Sequence, residues 1–181
     1  MGQPLEYVVA AQAGQIMLAS VYSIDDDVYL GVTGLSDGVR LQRTAAGLTQ
    51  FTGRLPATQD YRLTLASPFG DSAFSLQVII PARIQFQPGA ISASIPGQLP
   101  GGEVNYYTAA ARAGQTMTVQ IISPGNDIFI TVYGLSDGSP LVRSVMGLTS
   151  WSGVLPLDQD YMIEAVSTGG PAGYTLQVTI Q

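Results

Sequence analysis

The chain has 181 residues and a net charge of −6, thirteen acids against seven basic residues that are all arginine, with a pI near 4.2. That balance repels nucleic acid and anionic membrane surfaces, because phosphate recognition needs clustered positive charge. With no cysteine, histidine or lysine, it has no disulfide or thiolate metal site, and no base for a Ser-His-Asp triad, a Cys-His pair or a Ser-Lys dyad.

Apolar and polar residues alternate with period two along most of the chain, which predicts strands near 6–11, 16–22, 27–33, 40–44, 49–54, 61–66 and 73–80. Turn signals separate them, as at Ala13-Gly14-Gln15 and Ser36-Asp37-Gly38. Two extra strands follow near 83–86 and 90–95. The first seven then recur 100 residues later without a gap, at roughly 40% identity. In the second copy Met117, Val119 and Ile121 share one face, as do Tyr174, Leu176, Val178 and Ile180. No stretch carries helical periodicity between an N-cap and a glycine stop. Nor does any run approach the roughly 18 apolar residues of a spanning helix. The start, Met1 to Glu6, lacks the features of a secretory signal, so an exported parent protein would hold this chain as a mature or excised piece.

Strands this short and this regularly spaced indicate a β-sandwich or jelly roll in each copy. The order Tyr106-Tyr107, Ala113-Gly114-Gln115, Met117 to Ile121, Gly134-Leu135-Ser136-Asp137-Gly138, Leu155-Pro156, Asp160-Tyr161 and Tyr174 to Val178 resembles the bacterial pre-peptidase C-terminal domain, over both copies. The resemblance implies a jelly-roll-like sandwich appended to secreted enzymes and surface proteins, without catalysis of its own. A similar fold is known for periplasmic inhibitors of goose-type lysozyme. Members of the family open with a strand of the type Ser-Ala-x-Ile-x-Gly-x-Leu, matched here by Ser92 to Leu99 and lacking in the first copy.

Few residues carry chemistry. Asp158 and Asp160, two apart at a strand start, are predicted about 6 to 7 Å apart on one face, within glycosidase range. Position 58 of the first copy is threonine, however, which argues against catalysis. Asp25, Asp26 and Asp27 are weak calcium candidates, since a hard cation wants several oxygens, but they read better as a solvated loop, with Asp27 and Asp127 capping or beginning a strand. Asp37-Gly38 and Asp137-Gly138 are turns in which glycine takes positive φ. Tyr61 and Tyr161, each after Gln-Asp, resemble tyrosine corners. Arg43/Arg143 with Asp60/Asp160 form the conserved charge combination of the two copies and predict a cross-strand ion pair. Trp151, the counterpart of Phe51, lies on the side of Gly153 and Leu155 and is expected in the core.

The first copy has no counterpart of Arg83–Pro100 and is expected to present unpaired N–H and C=O groups beside an apolar groove. As a fragment of a longer array it tolerates the gap, or Arg83–Leu99 folds back on it. Alternatively a strand from a neighbouring chain fills it, a head-to-tail contact that propagates into a filament. On that last reading Arg83, Ile84, Phe86, Ile91 and Ile95 are the assembly residues.

The expectation is an all-β chain of two tandem jelly-roll-like β-sandwich domains, 1–81, lacking its N-terminal strands, and 82–181. Its expected role is non-catalytic, structural or adhesive, outside a bacterial cell or on its surface, with no cofactor and with self-association through strand exchange. Inhibition of goose-type lysozyme is the rival. A carbohydrate-binding module comes third and requires Trp151 or Tyr106/Tyr107 displayed as a flat platform.

Overall fold

Alternation of side chains across a pleated backbone becomes sixteen strands in the computed structural model, which is described over residues 3–181. The chain divides into two compact units, Met1–Ile80 and Pro81–Gln181. Both are all-β sandwiches. Among the described residues no helix is long and apolar enough to cross a membrane.

Unit 1 contains β1 (Leu5–Ala11), β2 (Ile16–Ser23), β3 (Tyr29–Gly34), β4 (Arg40–Gln42), β5 (Gln50–Arg54), β6 (Gln59–Ala66) and β7 (Phe74–Ile79). They form one sheet ordered β1-β6-β3-β4 and a second ordered β5-β2-β7. Inward residues of both sheets make the core, with Met17, Ala19 and Val21 from β2, Leu30 and Val32 from β3, and Tyr61, Leu63 and Leu65 from β6. Burying each such aliphatic side chain stabilises the unit by roughly 1.5 to 3 kcal/mol.

Unit 2 contains β8 (Ala82–Arg83), β9 (Ser92–Leu99), β10 (Val104–Ala111), β11 (Thr116–Ile122), β12 (Ile128–Gly134), β13 (Pro140–Val142), β14 (Ser150–Val154), β15 (Gln159–Ser167) and β16 (Ala172–Ile180). Its sheets are ordered β13-β12-β15-β10-β8 and β14-β11-β16-β9. Strands β10 to β16 repeat β1 to β7 in order. The added strands extend one sheet each: β8 lies parallel to β10, and β9 antiparallel to β16. The segment 82–99 therefore completes unit 2, and its strand pairing is with unit 2.

Several predicted boundaries move, among them three with a visible cause or a large shift. The strand expected over 40–44 stops at Gln42, because Thr44–Ala46 winds into a single 3-10 turn closed by Gly47 at φ 67°. Ser144–Met146 and Gly147 do the same in unit 2. Three residues are too few to leave a helical period in the sequence. The strand expected over 83–86 shrinks to Ala82–Arg83, and the one expected over 90–95 runs over Ser92–Leu99. A turn at 87–90, with Gly89 at φ 80°, delays its start. Pro96 sits inside β9 opposite Thr175. Its missing N–H is tolerated there because β9 is an edge strand with one side unpaired among the described residues.

Candidate functional site

The acids that spacing brings together are separated by their hydrogen bonds. Asp158 Oδ1 accepts from the Ala113 N–H at 2.7 Å, and Thr58 Oγ1 accepts from the Ala13 N–H at 2.9 Å in unit 1. The exchange of Asp for Thr thus keeps an acceptor that fastens the loop before β2 or β11. Asp160 accepts from Arg83 Nη1, where the charge pattern predicts Arg143. That contact holds β8 against its sheet.

Asp27 is a junction of serines. Its Oδ1 accepts from Ser72 Oγ at 2.8 Å and its Oδ2 from Ser67 Oγ at 3.3 Å, while its own N–H donates to Ser23 Oγ at 3.1 Å. These bonds hold its carboxyl below the usual carboxylate range, the Ser72 hydroxyl most of all. Asp25 and Asp26 lie in the exposed turn before it, with Asp26 at φ 50°. No group of three or more His, Cys, Asp or Glu side chains among the described residues could hold a metal ion.

The same junction is incomplete in unit 2. Ala172 replaces Ser72, and Asp127 Oδ1, Ser123 Oγ and Ser167 Oγ are buried without a hydrogen-bond partner. Leaving such groups unmade costs more than forming them gains. Ala172→Ser is therefore expected to stabilise unit 2 by about 1 kcal/mol by supplying the hydroxyl that unit 1 has. Denaturant unfolding followed by the fluorescence of Trp151, the single tryptophan, measures it; a loss of stability would refute the assignment.

The repeated Asp-Gly loops are held by a glutamine that the turn signature does not reveal. Gln59 Oε1 accepts from the N–H groups of Ser36 (2.7 Å) and Asp37 (3.2 Å), while its Nε2 donates to Asp37 Oδ2 at 2.8 Å. Asp37 Oδ1 caps the Val39 N–H at 2.9 Å, and Gly38 turns the chain at φ 68°. Gln159, Ser136 and Asp137 repeat the clamp. The backbone donor at Val39 or Ser139 is the chief cause that lowers the carboxyl of Asp37 or Asp137. In the adjoining corner, Tyr61 Oη donates to the Ala57 carbonyl at 2.6 Å and Tyr161 Oη to the Leu157 carbonyl at 2.8 Å. The duplicated polar residues thus hold loops in shape.

The aromatic candidates are committed to packing. Trp151 is half-buried against the unit 2 core, its ring so close over Gly153 that an added Cβ would lie 2.5 Å from Cζ2. Tyr107 is buried and shares a hydrogen bond of 2.6 Å with the Tyr174 hydroxyl, which also accepts from Asn105 Nδ2 at 2.9 Å. Tyr106 is half-buried on the opposite side of β10, its hydroxyl pushed up by burial and by the negative charges of Glu164 and Glu103. Glu164 is itself raised by burial, with Tyr133 and Thr131 donating to it. None of these forms a flat exposed platform.

One surface stands out, on unit 1. Tyr7, Val9, Leu63, Phe74, Leu76 and Val78 line an apolar groove of about 510 Å³ between β1 and β7, the edge strands of the two sheets. The corresponding side chains of unit 2 are covered. Tyr7 is 43% exposed and Tyr107 is 7%; Phe74, Leu76 and Val78 are half-buried, whereas Tyr174, Leu176 and Val178 are 5%, 0% and 0% exposed. The cover comes from the assembly candidates and their neighbours: Ile84 and Leu99 are buried, and Phe86, Ala93 and Ile95 pack against the core. Arg83 is held by Asp160, and Ile91 remains 54% exposed.

No protein-family model matches the chain, and no curated protein sequence does. Among solved structures it is similar to PliG of Aeromonas hydrophila, a periplasmic inhibitor of g-type lysozyme, at 29% identity over 56% of this chain and 96% of that one, with a TM-score of 0.49. The Salmonella Typhimurium PliG is 22% identical over 56% and 97%, with a TM-score of 0.45, and a mutant of the Escherichia coli PliG is 22% identical over the same shares, with a TM-score of 0.44.

Proposed function

We propose that this chain is a non-catalytic protein-binding β-sandwich module of the pre-peptidase C-terminal type, working outside a bacterial cell or on its surface in a structural or adhesive role. The observation that carries the reading is the apolar groove of unit 1, flanked by two strand edges that are unpaired among the described residues. Soluble proteins blunt or cover such edges, and one left plain is suited to receiving a strand. Support also comes from the acids, whose hydrogen bonds go to loop backbone, serines and an arginine.

A fibre is the self-assembling form of this reading, with 83–99 of one copy entering unit 1 of the next. Among the described residues one such segment is present, and unit 2 already holds it. Exchange would uncover one unit to cover another and gain no strand pairing.

The test is selection of random 17-residue peptides on the immobilised full chain, counter-selected on Leu76→Arg. Enrichment of peptides that bind the parent chain and lose Leu76→Arg is expected; equal recovery on both overturns the reading. Inhibition of g-type lysozyme, the role stated for the Aeromonas protein, is assayed on the same pair of chains. Inhibition unaffected by Leu76→Arg would replace the groove with another surface.

A further inference from the structure

We infer that the outer face of the β1-β6-β3-β4 sheet of unit 1 holds a binding site for a sugar acid, a polyhydroxylated ligand whose carboxylate is received by Arg40, Arg43 and Arg62. The site is separate from the apolar groove and does not rest on the protein-binding reading.

The chain has seven arginines and a net charge of −6, and three of the seven line one hollow of about 450 Å³. Strand pairing puts them there. Arg62 of β6 and Arg40 of β4 both lie opposite Thr33 of β3, and Gly31 lies opposite Thr64 in the adjacent row. Residues opposite one another in an antiparallel pair share a face, here the one turned away from the core. Arg43 adds the third guanidinium from the head of the 3-10 turn. Glu6 also lines the hollow, 3.4 Å from Arg62. One carboxylate among three guanidinium groups leaves a local excess of positive charge. Arg40 and Arg43 are exposed and have no ion pair among the described residues.

The hollow is rich in donors and short of acceptors. Nε of Arg62 is buried without a hydrogen-bond partner. In unit 2 the Ser144 N–H donates to Thr131 Oγ1 at 3.1 Å. Glycine at position 31 leaves the Thr44 N–H without that acceptor, and a Cβ built there would stand 3.3 Å from the Thr44 nitrogen. The same face of unit 2 is filled from within. Met162 replaces Arg62 and is fully buried, Tyr133 replaces Thr33, and Glu164 replaces Thr64 and accepts from Tyr133 and Thr131. There the sheet supplies its own carboxylate; in unit 1 the donors surround a space that lacks one. A carboxylate entering it can accept from a guanidinium through both oxygens, the strongest hydrogen bonding open to it.

The walls select the rest of the ligand. Thr33, Thr44 and Thr64 line the hollow with the arginines, and among the described residues no aromatic ring does, which matches the hydroxyls of a sugar better than an apolar anchor. A peptide backbone finds no partner there, because β3 and β6 each pair on both sides. The site is also independent of the sheet edges. In unit 2 β8 and β9 are added beyond β10 and β16, while Pro140 and Arg143, the counterparts of Arg40 and Arg43, stay exposed. A segment arranged like 82–99 therefore leaves this face open.

The test titrates the full chain with trigalacturonate, D-galactose, acetate and triglutamate, followed by amide NMR and calorimetry. Saturable binding of trigalacturonate at one site is expected, with the largest shifts at Gly31, Thr33 and Thr44, and it should weaken as salt is raised. Galactose and acetate, each with half of the recognised chemistry, should bind at least about tenfold more weakly. Arg40→Gln and Arg43→Gln, both at exposed positions, and Gly31→Thr, which restores the side chain of unit 2, should each weaken trigalacturonate at least about tenfold. Circular dichroism verifies that the strands persist in each variant. Leu76→Arg should bind as the parent does, so that failure here and failure of the groove are read separately. Acetate binding as tightly as trigalacturonate would leave a simple anion site and overturn the proposal. Tighter binding of triglutamate would assign the arginines to an acidic polypeptide and overturn it too. So would an absence of trigalacturonate binding, or binding that the arginine variants leave unchanged.

Discussion

Gly97→Val is expected to lower the stability of unit 2 by about 3 to 6 kcal/mol, the larger of two effects that separate closure of the sandwich from its core. The new side chain meets the Tyr174 ring, which cannot swing aside because its hydroxyl is bound by Tyr107 and Asn105. Overpacking alone costs about 1 to 3 kcal/mol. Where β9 lifts to relieve it, Ile95 and Leu99 lose contacts with the core, each worth roughly 1.5 to 3 kcal/mol. Chemical unfolding followed at Trp151 reads unit 2 selectively, since unit 1 has no tryptophan. A change below about 1 kcal/mol would mean that the sandwich is stable without β9, which the burial of Leu99 opposes.

Tyr161→Ala is expected to cost about 3 to 5 kcal/mol, and Tyr161→Phe only about 1. The ring is wholly buried among β10, β12 and β15 residues, so alanine leaves a cavity. Phenylalanine fills the space but removes the hydroxyl that donates to the Leu157 carbonyl at 2.8 Å and accepts from the Leu157 N–H at 3.3 Å. Leu157 is 43% exposed, so solvent can take over its N–H and carbonyl in the phenylalanine variant. Thermal and denaturant unfolding of both variants give the comparison. Equal losses would show that the corner bond, rather than the ring, holds the loop.

Much of this was legible in the residue pattern. Met117, Val119 and Ile121 face the core as their alternation requires, and Tyr174, Leu176, Val178 and Ile180 do the same on β16. The tyrosine corners follow from Gln-Asp-Tyr, and the Asp-Gly turns from a glycine that must take positive φ. Other features were hidden for identifiable reasons. Gln59 and Gln159 recur plainly, but recurrence does not show that the Gln59 amide serves two N–H groups and a carboxylate 22 or 23 residues away, or that Gln159 takes the N–H and hydroxyl of Ser136 and donates to Asp137. Asp158 and Asp160 look like a pair because spacing along a strand says nothing of the different partners each one meets. The 3-10 turns at 44–46 and 144–146 are shorter than any period that could announce them.

The sequence alone determined the fold class, the duplication and the inward faces, because the two-residue pleat is a local property of the backbone and writes itself into the order of side chains. That 82–99 serves the second copy was an expectation from the likeness of Ser92 to Leu99 to a family's opening strand, and tertiary structure decided it against folding back on the acceptor face of the first. Both copies carry nearly the same inward side chains on that face, so local pattern favours neither. The choice rests on contacts between distant residues: Arg83 with Asp160, the Ile84 N–H with the Thr108 carbonyl, and the Tyr174 ring over Gly97. Those contacts close one sandwich and leave the groove of the other uncovered.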